Sequence, residues 1–285
     1  MKQLTRKFTD SSLILYRAVI YKAPAQNRGK ALIAGPAPAA WQNTPVLNQA
    51  NNNNHAVFKT LEHVIAPNVA NKFIAYNNIP PDIPKVKTKS NSKGVLMMNP
   101  QIADEASWIV HTIPGFPKAL RGYVFPPEEI QKGHLFICLT IKESEIDAIA
   151  MALRIATPLI YHNDIPDAEI NSRPNLKKLV NGESRLTPPL TATRQISTAA
   201  APGLKVTIYS KGEKSKYGKL HVLLLNFQNK QLAEFGTTNK YRMSSKNAIT
   251  LDAMNRMHFY SCKADLPKST CEEIKDRHQS LDNKR

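Results

Sequence analysis

Two short lysine-centred segments carry the residue types and spacing that could do chemistry in this chain. The segments read SNSKG from Ser90 and TTNKY from Thr237. Each places its lysine, Lys93 or Lys240, two residues after a small polar residue. In an extended segment residues i and i+2 project to the same face, so each pair could hold one phosphate group. The spacing therefore predicts two phosphate-binding elements, although polar-x-Lys alone is common in basic proteins.

A run of cations leads into the first segment. Lys85, Lys87 and Lys89 stand at alternate positions just before Asn91. On an extended chain they share one face, which suits a groove that follows a nucleic-acid backbone; a solvated loop is the alternative. No residue of the run is typical of base recognition, so the binding it predicts is independent of sequence and sensitive to salt.

Composition and charge limit the function classes. The chain has 285 residues, 42% of them apolar and 21% charged, which is ordinary globular usage and excludes wholesale disorder or a coiled coil. Lys and Arg number 39 against 22 Asp and Glu, a net charge of +17. Such an excess is typical of proteins that bind polyanions, with an inert basic surface as the alternative.

Cysteines and apolar runs say little about a scaffold or a membrane. Three cysteines cannot all pair, and only Cys262 and Cys271 are close enough for a local bridge. The histidine and cysteine spacings match no metal site, so we expect no metal and no cofactor. No run reaches the roughly 18 apolar residues of a membrane span, and we recognise no signal peptide. We therefore expect a cytoplasmic protein, or one exported without a cleaved leader.

The elements that must position these lysines follow from hydrophobic periodicity. Strands are predicted at Leu13–Ile20, Phe73–Tyr76, Val95–Met98, Trp108–Ile113, Leu135–Ile141, Val206–Tyr209 and His221–Phe227. A 3.6-residue apolar period predicts a helix over Glu143–Ile155. A second helix over Ser215–Leu225 competes with the last strand. The segment Leu186–Gly203, rich in Thr, Pro and Ala, is predicted to be a long loop. Strands mixed with helices favour an α/β or α+β domain.

Ordered blocks of sequence resemble the deoxyribonuclease II family. The blocks are Val19–Ala25, Phe73–Pro81, Asn91–Val95, Ser107–Pro117, Gly133–Leu139, Lys214–Gly218, Asn239–Tyr241 and Asp252–Arg256. The resemblance implies a phospholipase D-like α/β fold, with one domain over 1–285 and a charged tail at 272–285. It implies two pseudo-symmetric mixed-sheet halves, roughly 13–175 and 204–271, joined by a loop-rich connection and sharing one site at their interface.

The resemblance also implies a mechanism, from which this sequence departs. In such enzymes one histidine attacks the phosphodiester, a second protonates the leaving oxygen, and two lysines neutralise charge without a metal. Asn91 and Thr238 stand where the two histidines are expected. Asparagine does not titrate and a threonine hydroxyl needs a base, whereas Lys93 and Lys240 are retained. We therefore expect phosphate binding with weak or absent cleavage.

Other positions are singled out only by this resemblance. His111 matches a histidine in a Trp-x-x-His-x-x-Pro block and could act as a base or orient a phosphate; a strand histidine bonded to backbone is the alternative. The resemblance assigns Asn239 and Tyr241, the latter in place of a tryptophan, to binding of DNA or phosphate. Asn255 and Arg256 could contact DNA, buttress the site or form a structural turn. The other histidines considered are predicted to be surface or packing residues: His134, His162, His221 and His258.

Three functions stay open at this level. One is metal-independent hydrolysis of DNA phosphodiester bonds, and the second is binding of DNA or phosphate by a catalytically inactive pseudoenzyme. The third is an effector or scaffold that reuses the fold to bind a protein or a lipid phosphate. Nicking of plasmid DNA in excess chelator separates the first from the other two.

Overall fold

Eight strands form one sheet that carries most of the structure. The structure is a computed structural model, and it describes residues 17–34, 41–49, 55–183, 187, 191–199, 203–212 and 224–227. The strands of this sheet are β1 (Arg17–Lys22), β2 (Lys30–Ala34), β3 (Trp41–Asn43), β4 (Lys72–Tyr76), β5 (Gly94–Met98), β6 (Ala106–His111), β7 (His134–Ile141) and β8 (Ile160–Asn163). Their order across the sheet is β3-β2-β1-β7-β6-β5-β4-β8.

Neighbouring strands in this sheet run antiparallel. β4, β5, β6 and β7 are consecutive in the chain and adjacent in the sheet, so each can turn directly into the next. β1 and β2 form a second such unit, which joins the first through the pairing of β1 with β7. The predicted α/β class is confirmed, but the strand pairs of the described residues are uniformly antiparallel rather than mixed.

Both faces of the central strands of the sheet are buried. Short helices α1 (Ala56–Thr60) and α2 (Glu62–Ile65) place Val57 and Val64 in the hydrophobic cluster on one face, together with Leu61 between them. The helix α3 (Ile146–Ala156) packs with the other face, where Trp108 and Leu96 are fully buried. Because both faces are covered, β5 is buried along its whole length and its sequence GVLMM shows no polar alternation.

Helix α3 forms where the apolar period predicted it. A 3-10 turn at Glu143–Glu145 precedes the helix, and Ile146, Ile149 and Leu153 form its buried face. The helix ends at Ala156, and the next residue, Thr157, has a left-handed φ of 50°. Two further helices, α4 (Asp167–Asn171) and α5 (Pro174–Val180), follow β8. The prediction over 143–155 is therefore confirmed.

A second sheet corrects one loop prediction. It consists of β9 (Thr191–Ser197), β10 (Lys205–Lys211) and β11 (Leu224–Phe227), in the order β11-β10-β9. β9 lies inside Leu186–Gly203, so the prediction of a continuous loop there was wrong. Threonine and isoleucine favour strands when a partner is available, and all seven residues of β9 pair with β10. β11 makes Leu224 and Leu225 part of a strand rather than a helix.

The remaining predictions agree in part with the structure. Strands were predicted within a few residues of β1, β4, β5, β6, β7, β10 and β11, whereas β2, β3, β8 and β9 were missed. The pseudo-halves 13–175 and 204–271 and the tail 272–285 stay predictions, since nearly all residues beyond 212 lie outside the described part of the chain. Among the helices described, none has the length and apolar character needed to cross a membrane.

Candidate functional site

Ionisable side chains lie at or next to the ends of four adjacent strands, along one side of the large sheet. This line of strand ends is called the edge below. β1 ends at Lys22, β7 begins at His134, β6 ends at His111, and β5 begins one residue after Lys93. Because these strands alternate in direction, the four positions lie at the same edge. Asn78, two residues past the end of β4, extends this row by one more strand. The sheet thus brings together residues that are far apart in the sequence.

Lys93 is held by a network of asparagines. Its ammonium group donates to the side-chain oxygen of Asn78 and, at 3.4 Å, to the main-chain oxygen of Asn91. The amide of Asn78 in turn donates to the side-chain oxygen of Asn91 at 3.2 Å. Burial lowers the pKa of Lys93 to about 8, and the negative charge of Glu129 acts in the other direction and raises it. The half-buried lysine is therefore still mostly cationic at neutral pH.

The neighbouring Asn77 fixes the loop that carries Asn78. The side chain of Asn77 is fully buried and donates to the main-chain oxygens of Ile113 at 3.1 Å and Phe116 at 2.9 Å. Its own oxygen accepts from the main-chain N–H of Ile79 at 2.9 Å. Asn77 thus ties the end of β4 to the loop after β6, and this tie holds Asn78 against Lys93.

Asn91 is exposed and cannot take over the chemistry of a histidine. Its side-chain oxygen accepts from Asn78, and an amide neither gives nor takes a proton near neutral pH. Ser90 and Ser92 flank it, with 2.8 Å between their hydroxyl oxygens. The described site thus holds a cation, Lys93, whose partners are amide groups, and position 91 provides no nucleophile.

His111 is buried, with only 4% of its surface exposed. Its Nδ1 accepts from the main-chain N–H of Ile113 at 3.1 Å, and its ring packs edge-on against Phe116 with centroids 5.7 Å apart. Burial, the charge of Lys93 and the nearby His134 lower the pKa of His111 to about 3. The ring is therefore neutral and bonded to backbone, which is the geometry of the structural alternative given above.

Sequence reasoning missed a buried ionic cluster behind His111. Lys22 is 2% exposed. Burial lowers its pKa, whereas the negative charge of Glu129 raises it by a smaller amount. Its ammonium group donates to four main-chain carbonyl groups: those of Ala23 (3.2 Å), Gln26 (3.1 Å), Ile130 (2.8 Å) and Lys132 (2.6 Å). Glu129, buried in the 3-10 helix Pro127–Gln131, accepts from the ammonium group of Lys132 at 2.6 Å. Only the strand order could have indicated this cluster.

His134 joins that cluster to the outer surface. Its Nε2 lies 3.1 Å from the main-chain oxygen of Glu129 and 3.0 Å from the carboxylate oxygen Oε2. Its Nδ1 lies 3.3 Å from the hydroxyl of Thr112, the residue after His111. The side chain of His134 is buried. Burial lowers its pKa, whereas the negative charge of Glu129 acts in the other direction and raises it. The sequence alone predicted a packing or surface residue.

The predicted basic run lies on the outside of the molecule. Lys85, Lys87 and Lys89 are exposed, while Val86 and Thr88 between them are half-buried. Exposure alternates along this run, but Lys85 has a left-handed φ of 55°, so the segment is not extended throughout as the sequence predicted. The run ends two residues before Asn91, so its cations lead along the chain toward Lys93.

Half of the predicted site cannot be placed. The residues that lie outside the described part of the chain are Thr238, Asn239, Lys240, Tyr241, Asn255 and Arg256. Their roles, and the joining of two halves in one site, stay predictions. Within the described residues, His, Cys, Asp and Glu side chains form no group of three or more that could hold a metal ion.

The fold and this edge define an α/β protein with a candidate phosphate-binding site. A family model described as Deoxyribonuclease II matches residues 19–262, so the chain belongs to the deoxyribonuclease II family. That family is phospholipase D-like in fold, in agreement with the mixed α and β architecture. The resemblance found in the sequence blocks is therefore confirmed.

Individual relatives are similar over part of the chain. Plancitoxin-1 of Acanthaster planci is 26% identical over 149 residues, which are 51% of this chain and 40% of that protein. Cell death-related nuclease 6 of Caenorhabditis elegans is 29% identical over 147 residues, 51% of this chain and 38% of that protein. Deoxyribonuclease-2-beta of Homo sapiens is 30% identical over 96 residues, 33% of this chain and 26% of that protein. The chain thus matches 40% or less of each of these relatives.

Proposed function

We propose that this protein binds the phosphate backbone of DNA, without reading base sequence, at the edge formed by Lys93 and Asn78. The observation that carries the proposal is the position of the Lys93 ammonium group, half-buried and oriented by an asparagine side chain. A preorganised cation of this kind suits a phosphate oxygen. The exposed run Lys85, Lys87 and Lys89 supplies further phosphate contacts along the strand.

Hydrolysis of the bound phosphodiester is the second candidate function. Membership of the deoxyribonuclease II family favours it, as do relatives whose names are those of nucleases. The route through two histidines is not supported, because Asn91 and Thr238 replace both. His111 is too buried to contact a phosphate in the conformation described. Cleavage would therefore need a nucleophile other than these.

Binding is tested with a fluorescently labelled DNA duplex, followed by anisotropy at several salt concentrations. We expect log K to fall linearly with log salt, and to be the same for unrelated sequences. Lys93→Met should weaken binding and reduce the slope by about 0.9, the value for one neutralised phosphate. Lys142→Met is the matched control, since the exposed Lys142 follows β7 at the opposite edge of the sheet. Equal effects of the two substitutions would overturn the proposal.

Hydrolysis is tested by nicking of supercoiled plasmid in excess chelator, at acidic and at neutral pH. If wild type nicks and the Lys93→Ala, Lys240→Ala double variant does not, the second candidate holds. If only an Asn91→His, Thr238→His double variant nicks, the scaffold is intact and the natural protein binds without cutting. A protein that neither binds nor nicks would contradict both functions.

A further inference from the structure

We infer that Thr112, His134 and Glu129 form a nucleophile, a general base and an orienting carboxylate at the same edge of the sheet. The inference deepens the proposed function, on which it rests for its substrate, a DNA phosphodiester held beside Lys93. A hydroxyl that donates to an imidazole, with a carboxylate beside the ring, is the usual arrangement that activates an alcohol as a nucleophile. Here the hydrogen bond of His134 Nε2 goes to the main-chain oxygen of Glu129, and the carboxylate lies beside the same nitrogen as an ion-pair partner. No sequence motif links these three residues, and only the fold brings them together.

The hydrogen bonds determine where the protons lie. Nε2 of His134 is 3.1 Å from the main-chain oxygen of Glu129 and 3.0 Å from its carboxylate. A main-chain carbonyl oxygen can only accept, so Nε2 carries the proton. In the neutral ring Nδ1 is then a bare acceptor, and it faces the hydroxyl of Thr112 at 3.3 Å. A base with its lone pair directed at a hydroxyl is the arrangement that nucleophile activation requires.

The hydroxyl of Thr112 is oriented from the other side as well. Its oxygen accepts from the main-chain N–H of Leu135 at 3.0 Å. Because this bond occupies a lone pair and not the hydroxyl proton, the proton is free to point at His134. Both neighbours thus favour one orientation of the hydroxyl, in which Thr112 donates to the imidazole.

Burial separates the roles of the three residues. Thr112 is exposed and can be reached by a substrate, whereas His134 is 6% and Glu129 2% exposed. Lys132 donates to Oε1 of Glu129 at 2.6 Å and forms an ion pair with it. Lys22, held by four carbonyl groups, completes the charged groups around the imidazole. The base is thus enclosed while the nucleophile faces solvent.

Thr112 also lies near the proposed phosphate contact. It follows His111, whose main-chain N–H donates to the main-chain oxygen of Lys93 at 3.2 Å. Thr112 therefore directly follows β6 and Lys93 directly precedes β5, and these two strands are neighbours in the sheet.

The reaction balances with water as the only co-reactant. The Thr112 oxygen attacks phosphorus, its proton passes to Nδ1 of His134, and the bond to the leaving alkoxide breaks. The imidazolium returns the proton to that alkoxide, which leaves a phosphodiester between Thr112 and the remaining strand. Water then attacks the same phosphorus, gives its proton through His134 to the threonine oxygen, and releases a terminal phosphate. Glu129 stabilises the imidazolium without itself taking a proton.

The test uses bis(p-nitrophenyl) phosphate as an activated phosphodiester, with the full chain in excess chelator. We expect a burst of p-nitrophenolate stoichiometric with protein, and a p-nitrophenyl phosphate adduct that peptide mass spectrometry assigns to Thr112. Thr112→Val has a similar shape but no hydroxyl, and it should lower the rate of the burst by about 100-fold or more. Thr112→Ser keeps a hydroxyl and should restore the burst relative to Thr112→Val. Thr193→Val, at an exposed position of β9, is the matched control and should leave the burst unchanged.

A second pair of variants separates catalysis from packing. His134→Gln should slow the burst by about 100-fold. Glu129→Gln removes the charge that opposes the lowered pKa of His134, so the acidic limb of the burst rate should move to lower pH. A purely structural role for Glu129 would leave that limb unmoved. Such a result, or a limb shifted upward, would overturn the assignment of Glu129.

The outcomes distinguish this inference from the proposed DNA binding. DNA binding that persists without a burst or an adduct overturns the nucleophile and leaves the proposed function intact. An adduct on Thr112 in a protein whose DNA affinity does not depend on Lys93 supports the nucleophile and overturns the phosphate contact. If Thr112→Val fails to fold, the residue that carries the adduct in the wild-type protein, identified by peptide mass spectrometry, decides whether the inference holds. An adduct on Thr112 supports the inference, and an adduct on His111 or any other residue overturns it.

Discussion

The ammonium group of Lys93 donates a hydrogen bond to the side-chain oxygen of Asn78, two residues beyond the end of the adjacent strand β4. The bond joins two loops that are separated in sequence but neighbours at one edge of the sheet. An amide partner orients the lysine without neutralising it, so its charge is retained for a phosphate. This relationship distinguishes the edge from an ordinary basic surface.

Replacing that amide by a carboxylate should weaken DNA binding. In Asn78→Asp the new charge pairs with Lys93, raises the pKa of that lysine and repels a phosphate. We expect about ten-fold lower affinity for a DNA duplex by fluorescence anisotropy, which corresponds to about 1.4 kcal/mol. Asn171→Asp makes the same change of net charge at an exposed position of α4 and serves as the control. Equal losses in the two variants would assign the effect to net charge alone.

The basic run should contribute salt-dependent affinity. Replacing Lys85, Lys87 and Lys89 together by glutamine should lower the slope of log K against log salt by about 0.9 for each phosphate that is no longer neutralised. Unrelated DNA sequences should be affected alike, because phosphate contacts carry no base information. The slope is measured from anisotropy titrations between low and physiological salt.

A matched triple variant provides the control for the basic run. It replaces three exposed lysines away from the site, Lys142, Lys177 and Lys178, by glutamine. Its change in net charge is identical. If its salt slope falls as much as that of the first triple variant, the run is an ordinary solvated loop.

DNA affinity should depend on the protonation of Lys93. Burial lowers its pKa to about 8, so the fraction of the cationic form falls as pH rises through that value. We expect weaker binding at pH 9 than at pH 7 in wild type, with the midpoint moved above 8 where bound phosphate favours the cation. Lys93→Met should remove this pH dependence. An unchanged profile in that variant would show that another group titrates.

Acid should destabilise the fold through His55, which begins α1. Its Nδ1 accepts from the main-chain N–H of Phe58 at 3.1 Å, and burial lowers its pKa from 6.5 to about 4. The unfolded chain therefore binds a proton before the folded chain does, so stability is full above 6.5 and is lost as pH falls toward 4. His55→Asn keeps a side-chain acceptor at this position but cannot titrate.

The measurement is urea denaturation of wild type and His55→Asn at pH 7 and pH 5. The variant should lose less stability between the two, by up to about 1.4 kcal/mol per pH unit. The comparison within each protein removes the cost of altered packing. Identical losses in both proteins would show that the imidazole of His55 is not responsible.

A buried hydrogen bond behind the site should stabilise the sheet. The indole N–H of Trp108 donates to the hydroxyl of Tyr76 at 3.0 Å, and both side chains are fully buried. Tyr76→Phe leaves that N–H without its acceptor, at a cost of about 1–3 kcal/mol in the free energy of unfolding. Tyr209→Phe, at an exposed position of β10, should change the same quantity by less than about 0.5 kcal/mol.

Parts of the fold were predictable because their signals are local. Helix α3 carries its apolar face in its own sequence, and the apolar runs of β4, β5 and β7 are strong enough to locate each strand. β9 was missed because its threonines and alanines form a strand only when paired with β10. Strand order and register were also outside what periodicity determines, since they depend on contacts between distant segments.

The sequence by itself determined the excess of positive charge, the family blocks, the lysine at position 93 and the absence of histidine at positions 91 and 238. These are properties of composition and of short motifs. Only the tertiary structure decided that Asn78 orients Lys93, that His111 is buried, and that His134 faces Thr112. The reason is physical: hydrogen-bond partners and desolvation are set by which strand ends meet at one edge, and that depends on the whole sheet.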